Sequence, residues 1–364
     1  MCFRHALAAL AAAASMATAA LVTTVAAHAA EFAAVGDPKP AVLLFADAND
    51  GGWSQAIDEA RRKVEGELGV SIPMVENIAE SATAIRPAAE VFIDRGANVI
   101  IGSAFGYSDT FKELAEEHPE VVFLNPAGIT NGDNLKSFYG RTYETHYLCG
   151  MVAGGLSESG NIGFVAANPF GLVNWTVNAY LLGAREVNPD ATLTVVFTGA
   201  WNDPVKERAA AEALVEQGVD VLGQHVDSPT VQVVAQEAGI YGTGHHRDLS
   251  EFSTATQCSS IWQWERFLTP EIQAISAGEF APNPYGEFLS IADGGPDIAC
   301  CGDAVSDELE ARVMAERDAL IGGKQIFAGP VTDRDGTVRV PEGEVLPDAD
   351  LWGMDWYVEG VTSQ

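Results

Sequence analysis

Residues 41–68, AVLLFADANDGGWSQAIDEARRKVEGEL, read as a strand, a loop and a helix. The apolar run 41–46 suits a short strand buried on both faces of a parallel sheet. Trp53, Ile57, Ala60, Val64 and Leu68 recur at spacings of three and four, and Asp58, Glu59, Arg61, Arg62 and Lys63 fill the other faces, which predicts an amphipathic helix. Between them, 47–52 is too polar to bury and too rich in glycine to continue either element. Open α/β sheets bind ligands in loops at the carboxyl ends of their strands. Asn49 and Trp53 are therefore the first candidate ligand contacts.

The same unit recurs. Trp53 and Trp175, Gly96 and Gly218, and Ile100 and Leu222 are each 122 residues apart. The segments AAEVFIDRGANVII (88–101) and AAEALVEQGVDVLG (210–223) agree in kind. One ungapped offset across several strands and helices marks an internal duplication. It predicts an α/β protein of two similar lobes, each three layers deep around a parallel sheet, with Trp53 and Trp175 at the starts of equivalent helices.

With 364 residues, 47% apolar and 20% charged, the chain is globular and long enough for two domains, each with its own core. Arg4 and His5 precede an alanine-rich run, and Ala27-His28-Ala29 puts small residues at the positions a signal peptidase reads, so 1–29 is expected to be a cleaved secretory signal. Its loss leaves 19 basic against 51 acidic residues, a net charge of −32. That field repels nucleic acid and anionic lipid. Cys149, Cys258, Cys300 and Cys301 remain; one disulfide is open to them in an oxidising compartment, with partners that spacing does not name. The first lobe is expected over 39–138 and 257–284, the second over 139–256 and 285–325, and the Gly- and Pro-rich segment 326–364 near the junction.

Enzyme signatures are absent from the sequence: no Walker A run, no G-x-S-x-G elbow, no H-E-x-x-H. Gly242-Thr243-Gly244 lacks the third glycine of a dinucleotide loop, and His245 and His246 lack a spaced third ligand, so they read as solvated loop residues. No catalytic residue, cofactor or metal is expected. What the strand-end loops share is aromatic and short polar side chains: Asn49, Trp53, Phe105, Tyr107, Asn168, Trp201, Asp227 and Asp248. A tryptophan at a helix start usually only packs, but the concentration of these residues at one kind of position points to a ligand. Aromatic faces with a few hydrogen-bonding groups hold a flat heterocycle, at about 1–3 kcal/mol per stacked face.

Six stretches carry a resemblance: Asp50-Gly51-Gly52-Trp53, Ser103-Ala104-Phe105-Gly106-Tyr107, Tyr139-Gly140-Arg141-Thr142-Tyr143-Glu144, Trp201-Asn202-Asp203-Pro204, Gln224-His225-Val226-Asp227-Ser228-Pro229 and Met354-Asp355-Trp356-Tyr357-Val358-Glu359-Gly360. As a set they resemble the basic-membrane-protein family of ABC transporter substrate-binding proteins, over nearly everything from residue 40 onward. The resemblance implies a type I periplasmic-binding fold, with a hinge and a ligand in the cleft. It also implies a periplasmic monomer that delivers a purine nucleoside or nucleobase to an ABC permease in the inner membrane, with no nucleic-acid partner. Trp53 and Phe105 would lie against the base, with Asp227 and Asp248 as acids at the second lobe's strand ends; helix capping is the competing role for Asp227. Where many nucleoside-binding members place a lysine for the ribose, this chain has Trp262 or Gln263, which favours a base such as adenine. A sugar receptor of the same fold is the alternative, and a secreted nucleoside-processing enzyme the distinct one.

Overall fold

The computed structural model describes residues 37–364; the expected signal, 1–29, lies outside them. The opening unit forms as predicted, with strand β1 (Pro40–Leu43) followed by helix α1 (Trp53–Leu68). Strands β2 (Met74–Val75), β3 (Val99–Ile101), β4 (Val122–Pro126) and β5 (Leu135–Gly140) follow, interleaved with α2 (Ala82–Asp94) and α3 (Ser108–Glu117). After α4 (Thr142–Leu156) the pattern repeats as β6 (Asn161–Ala166), α5 (Gly171–Val187), β7 (Thr192–Phe197), α6 (Pro204–Glu216), β8 (Val221–His225), α7 (Thr230–Ala238), β9 (Tyr241–His246) and β10 (Thr256–Trp262). The remainder is α8 (Trp264–Ala277), β11 (Glu287–Leu289), β12 (Pro296–Cys300), α9 (Asp307–Ile321), the pair β13 (Val331–Thr332) and β14 (Val338–Val340), α10 (Asp348–Trp352) and β15 (Val361–Ser363).

The two large sheets run β11-β5-β4-β3-β1-β2 and β12-β10-β9-β8-β6-β7-β15. Apart from their edge strands they share one permutation, and the 122-residue offset survives in the coordinates. Helix α2 starts at 82 and ends at 94, α6 at 204 and 216; β3 starts at 99 and β8 at 221. Gly96 and Gly218 follow the two helices with φ of 90° and 85°, a left-handed turn that glycine takes without steric cost. Trp175 departs from expectation. Its helix is equivalent to that of Trp53, but α5 begins about a turn earlier, so Trp175 sits inside it rather than at its start. There it is fully buried against Tyr139, Tyr143, Phe288 and Trp352, and donates its indole N–H to Thr142 Oγ1 at 3.0 Å.

Each sheet is covered on both faces, because successive strand residues point to opposite sides. In β1, Ala41 and Leu43 pack under α2 and α3, while Val42 enters the cluster that holds Trp53, Ile57 and Val64 of α1. In β6, Ile162 and Phe164 join that second cluster, which is continuous through α4 and α5, and Val165 packs under α6 and α7. Fully buried parallel strands explain why the sequence reads there as unbroken apolar runs.

The crossings between lobes fall elsewhere than expected at two points. Residues 258–261 pair in parallel with β9, so β10 belongs to the second sheet and the chain crosses only beyond Trp262. Residues 287–289 pair with β5, so β11 returns to the first sheet. A strand's sheet is fixed by a partner distant in sequence, which local pattern does not reveal. In the C-terminal segment, Asp348 is held by Arg141 through two hydrogen bonds of 2.7 and 2.8 Å. The segment then ends in the second sheet, where β15 pairs with β7. Among the described residues, no helix is long and apolar enough to cross a membrane.

Candidate functional site

The loop from β1 to α1 is organised by Asp50. Its Oδ1 accepts the backbone N–H of Gly52 (2.8 Å) and Gln55 (3.0 Å), and its Oδ2 accepts that of Ser54 (2.9 Å). These are the donors a helix start leaves unpaired, so Asp50 caps α1 from two residues before Gly52. Gly51 turns at φ 80°, and Gly52 lies against the other lobe: a Cβ there would stand 1.7 Å from the Asp227 carbonyl oxygen. Trp53 then donates its indole N–H to the Ser103 carbonyl. Arg247 Nη2 also reaches Glu59 Oε1 across the junction at 2.7 Å. The cleft is closed.

Closure leaves a narrow, largely apolar cavity between the lobes. Trp53, Phe105 and Tyr139 line it from one side, and Trp201, His225 and Asp227 from the other. Phe105 stacks on Phe170 at 5.8 Å, and beyond that pair the cleft widens toward the hinge.

Asp227 is the cavity's principal polar group. Its Oδ1 lies 2.9 Å from His246 Nε2, and His246 Nδ1 lies 3.0 Å from Trp262 Nε1. An indole N–H only donates, so Nδ1 carries the lone pair and the imidazole proton sits on Nε2, aimed at Asp227. Burial holds the His246 pKa well below the usual range, so the ring is neutral and the contact is a hydrogen bond to a carboxyl, not an ion pair. Burial, reinforced by Asp50, Glu207 and Glu80, pushes the Asp227 pKa well up. A carboxylate there is short of compensating donors, and its Oδ2 has no protein partner among the described residues. His225, also in the wall, is held neutral by burial, and its Nδ1 has no partner among the described residues.

Of the eight residues singled out from sequence, Trp53, Phe105, Trp201 and Asp227 converge on the cavity. Four do not. Asn49 is exposed and donates only its backbone N–H, to Asp47 Oδ1. Tyr107 is buried in the outer core of the first lobe, its hydroxyl donating to the Ile78 carbonyl at 2.6 Å. Asn168 is half-buried and accepts from the Phe170 N–H; the side chain of that loop that reaches the cleft is Phe170. Asp248 is exposed and accepts the Ser250 N–H, capping a single helical turn. Asp227 caps nothing, because α7 has no side-chain cap. The adjacent histidines are not solvated: His245 and His246 close β9 at 1% and 3% exposure. Sequence reasoning missed His225, His246 and Tyr139 as wall residues, although two of them fall inside motifs it had quoted.

Glu207 of α6 secures the loop that carries Asp227. It accepts the Ser228 hydroxyl and the Asp203 N–H while fully buried. Burial pushes its carboxyl up to about 7 from 4.5. The folded chain therefore keeps a proton that the unfolded chain loses between those values, and this group lowers stability as pH rises through that window. Glu207→Gln is neutral throughout. Relative to the native chain it is expected to gain about 3 kcal/mol of unfolding free energy between pH 4 and pH 8, read from urea midpoints. Parallel pH curves for the two proteins would contradict this.

Comparison with known proteins follows the same lines. The profile of the family described as "ABC transporter substrate-binding protein PnrA-like" matches residues 38–290. A purine-binding protein of Brucella abortus is 32% identical over 343 residues, covering 92% of this chain and 95% of that protein. A putative ABC transporter glucose-binding protein of Haloferax volcanii is 32% identical over 290 residues, covering 79% of this chain and 73% of that one. Among solved structures, a transcriptional activator of the comK gene from Bacillus halodurans superposes with a TM-score of 0.69 at 21% identity, covering 79% of this chain and 99% of its own. That likeness speaks for the fold alone.

Proposed function

The chain belongs to the PnrA-like family of ABC transporter substrate-binding proteins, and from that premise we propose that it captures a purine base, such as adenine, in the interlobe cleft for import. Family members bind small molecules and deliver them to a permease. In this reading the chain is secreted through its N-terminal signal, works in the periplasm as a monomer, serves a permease of the inner membrane and turns over no substrate.

The observation that carries the reading is the free Asp227 oxygen in an aromatic cavity. Ligand N–H groups would hold the buried Asp227 in its ionised form, and a carboxylate accepts them more strongly than a neutral acceptor does, while Trp53, Phe105 and Trp201 supply apolar faces. The Brucella relative is named for purines and the Haloferax relative for glucose. A sugar brings many hydroxyls, each costing roughly 1–3 kcal/mol if buried without a partner. The cavity wall has few groups to offer them. The same count separates base from nucleoside: the Trp262 N–H is spent on His246, and Gln263 is not in the wall. Two stacked faces and two or three buried hydrogen bonds suffice for the roughly −8 kcal/mol of a micromolar complex.

Calorimetry with adenine, guanine, hypoxanthine, their nucleosides and glucose tests this. At least one base is expected to bind more tightly than every nucleoside. Tighter binding of a nucleoside than of every base would overturn the base preference, and tighter binding of glucose than of any purine would overturn the purine reading. Release of free base from a nucleoside during the titration would show an enzyme.

A further inference from the structure

The four cysteines left by the expected signal cleavage are neighbours in space. Cys149 on α4 and Cys258 on β10 are fully buried, with sulfur atoms 3.4 Å apart. Across the antiparallel pair β10 and β12, Cys258 stands directly opposite Cys300. Directly opposed residues of such a pair project from the same face, with Cβ atoms about 4.5–5.5 Å apart. Cys300 is joined to Cys301 by a disulfide, and both pack against the cluster that contains Cys149 and Cys258. Two thiols and one disulfide therefore share one stretch of core, ordered 149, 258, 300, 301.

We infer that these residues form one thiol–disulfide exchange chain, through which Cys149 and Cys258 take over the disulfide held by Cys300 and Cys301. The Cys258 thiolate attacks Cys300 Sγ, forms the Cys258–Cys300 bond and expels the Cys301 thiolate. The Cys149 thiolate then attacks Cys258 Sγ, forms Cys149–Cys258 and expels the Cys300 thiolate. The two protons lost by Cys149 and Cys258 end on Cys300 and Cys301. Two electrons pass from one pair to the other, and no outside oxidant enters.

The rate is set by the scarcity of thiolate, because exchange needs the ionised sulfur. Burial pushes the Cys258 thiol well up, which places the exchange among slow, uncatalysed rearrangements of minutes to hours. The product staples α4 to β10 below the binding cavity. On that strand Ser260 already bonds Thr145 of α4 at 2.7 Å, and Trp262 orients His246. Closing the 109-residue separation between Cys149 and Cys258 constrains the unfolded chain, whereas a link between neighbours closes no long loop. The exchanged form is therefore expected to melt at the higher temperature.

The test follows native protein without added oxidant or reductant. Samples are quenched in acid at intervals, alkylated, digested without reduction and analysed by mass spectrometry, with any Cys2 peptide scored separately. The linked Cys149–Cys258 peptide is expected to grow in step with doubly alkylated Cys300 and Cys301. Cys149→Ala removes the second attack and is expected to accumulate the Cys258–Cys300 peptide, while Cys258→Ala leaves Cys300–Cys301 intact; circular dichroism checks that both variants fold. Cys149 and Cys258 that stay alkylatable for days beside an unchanged Cys300–Cys301 would overturn the inference. So would a Cys149–Cys258 link that forms only when glutathione disulfide is supplied.

Discussion

Gly52→Ala is expected to weaken ligand binding by about a hundred- to ten-thousand-fold while leaving the melting temperature of the ligand-free protein nearly unchanged. The added methyl would stand 1.7 Å from the Asp227 carbonyl oxygen, a backbone atom on the opposite lobe. Neither side yields cheaply: Gly52 sits where Asp50 caps α1, and the Asp227 N–H is itself donated to the Trp201 carbonyl at 2.8 Å. The lobes must then stop short of contact, and a site shared between them stays wet and incomplete. If two hydrogen bonds to the buried carboxylate go unmade, at about 1.5–3 kcal/mol each, the stated range follows. Calorimetry gives the affinity and small-angle scattering the closure. A variant that still contracts on saturation with adenine and binds it as tightly as the native chain would show that the cleft closes by another route.

Asp227→Asn is the second large effect, expected at about a hundredfold or more in affinity. His246 presents its Nε2–H to Oδ1, so the asparagine must turn its oxygen that way, leaving its NH₂ toward the ligand. A ligand N–H then faces a donor. The variant loses a charge-assisted bond and buries an unpaired group, at roughly 1–3 kcal/mol for the latter. Stability of the ligand-free variant at neutral pH is expected to hold or rise, because burial in the empty site pushes the Asp227 carboxyl toward its neutral form. Unfolding at lower denaturant with unchanged affinity would return Asp227 to a purely structural role.

The sequence made the scaffold legible because the scaffold is repetitive. Apolar runs gave buried parallel strands, spacings of three and four gave helices, and the 122-residue offset placed α2 against α6 to the residue. The Asp50-Gly51-Gly52-Trp53 motif was legible as a binding loop, though the reason for each residue lies in contacts that only the closed lobes make. The histidines were not legible. Residues 241–246, YGTGHH, show no apolar alternation, and their burial comes from β8 and β10 on either side rather than from their own side chains. Asn49 and Asp248 misled for the opposite reason: short polar residues at strand ends serve local backbone donors as readily as ligands. Tyr107 finds its partner 29 residues earlier in the chain, beyond the reach of any local pattern.

The sheet order also has a consequence for how the chain is made. The first sheet takes its edge strand from residues 287–289, and the second takes its last strand from 361–363. Neither lobe is a continuous stretch, so neither is finished when its own half has been synthesised. The first sheet cannot close before residue 289 has been made, nor the second before residue 363. A chain stalled after residue 330 would carry β7 as an open edge, the kind of unpaired strand that recruits other chains.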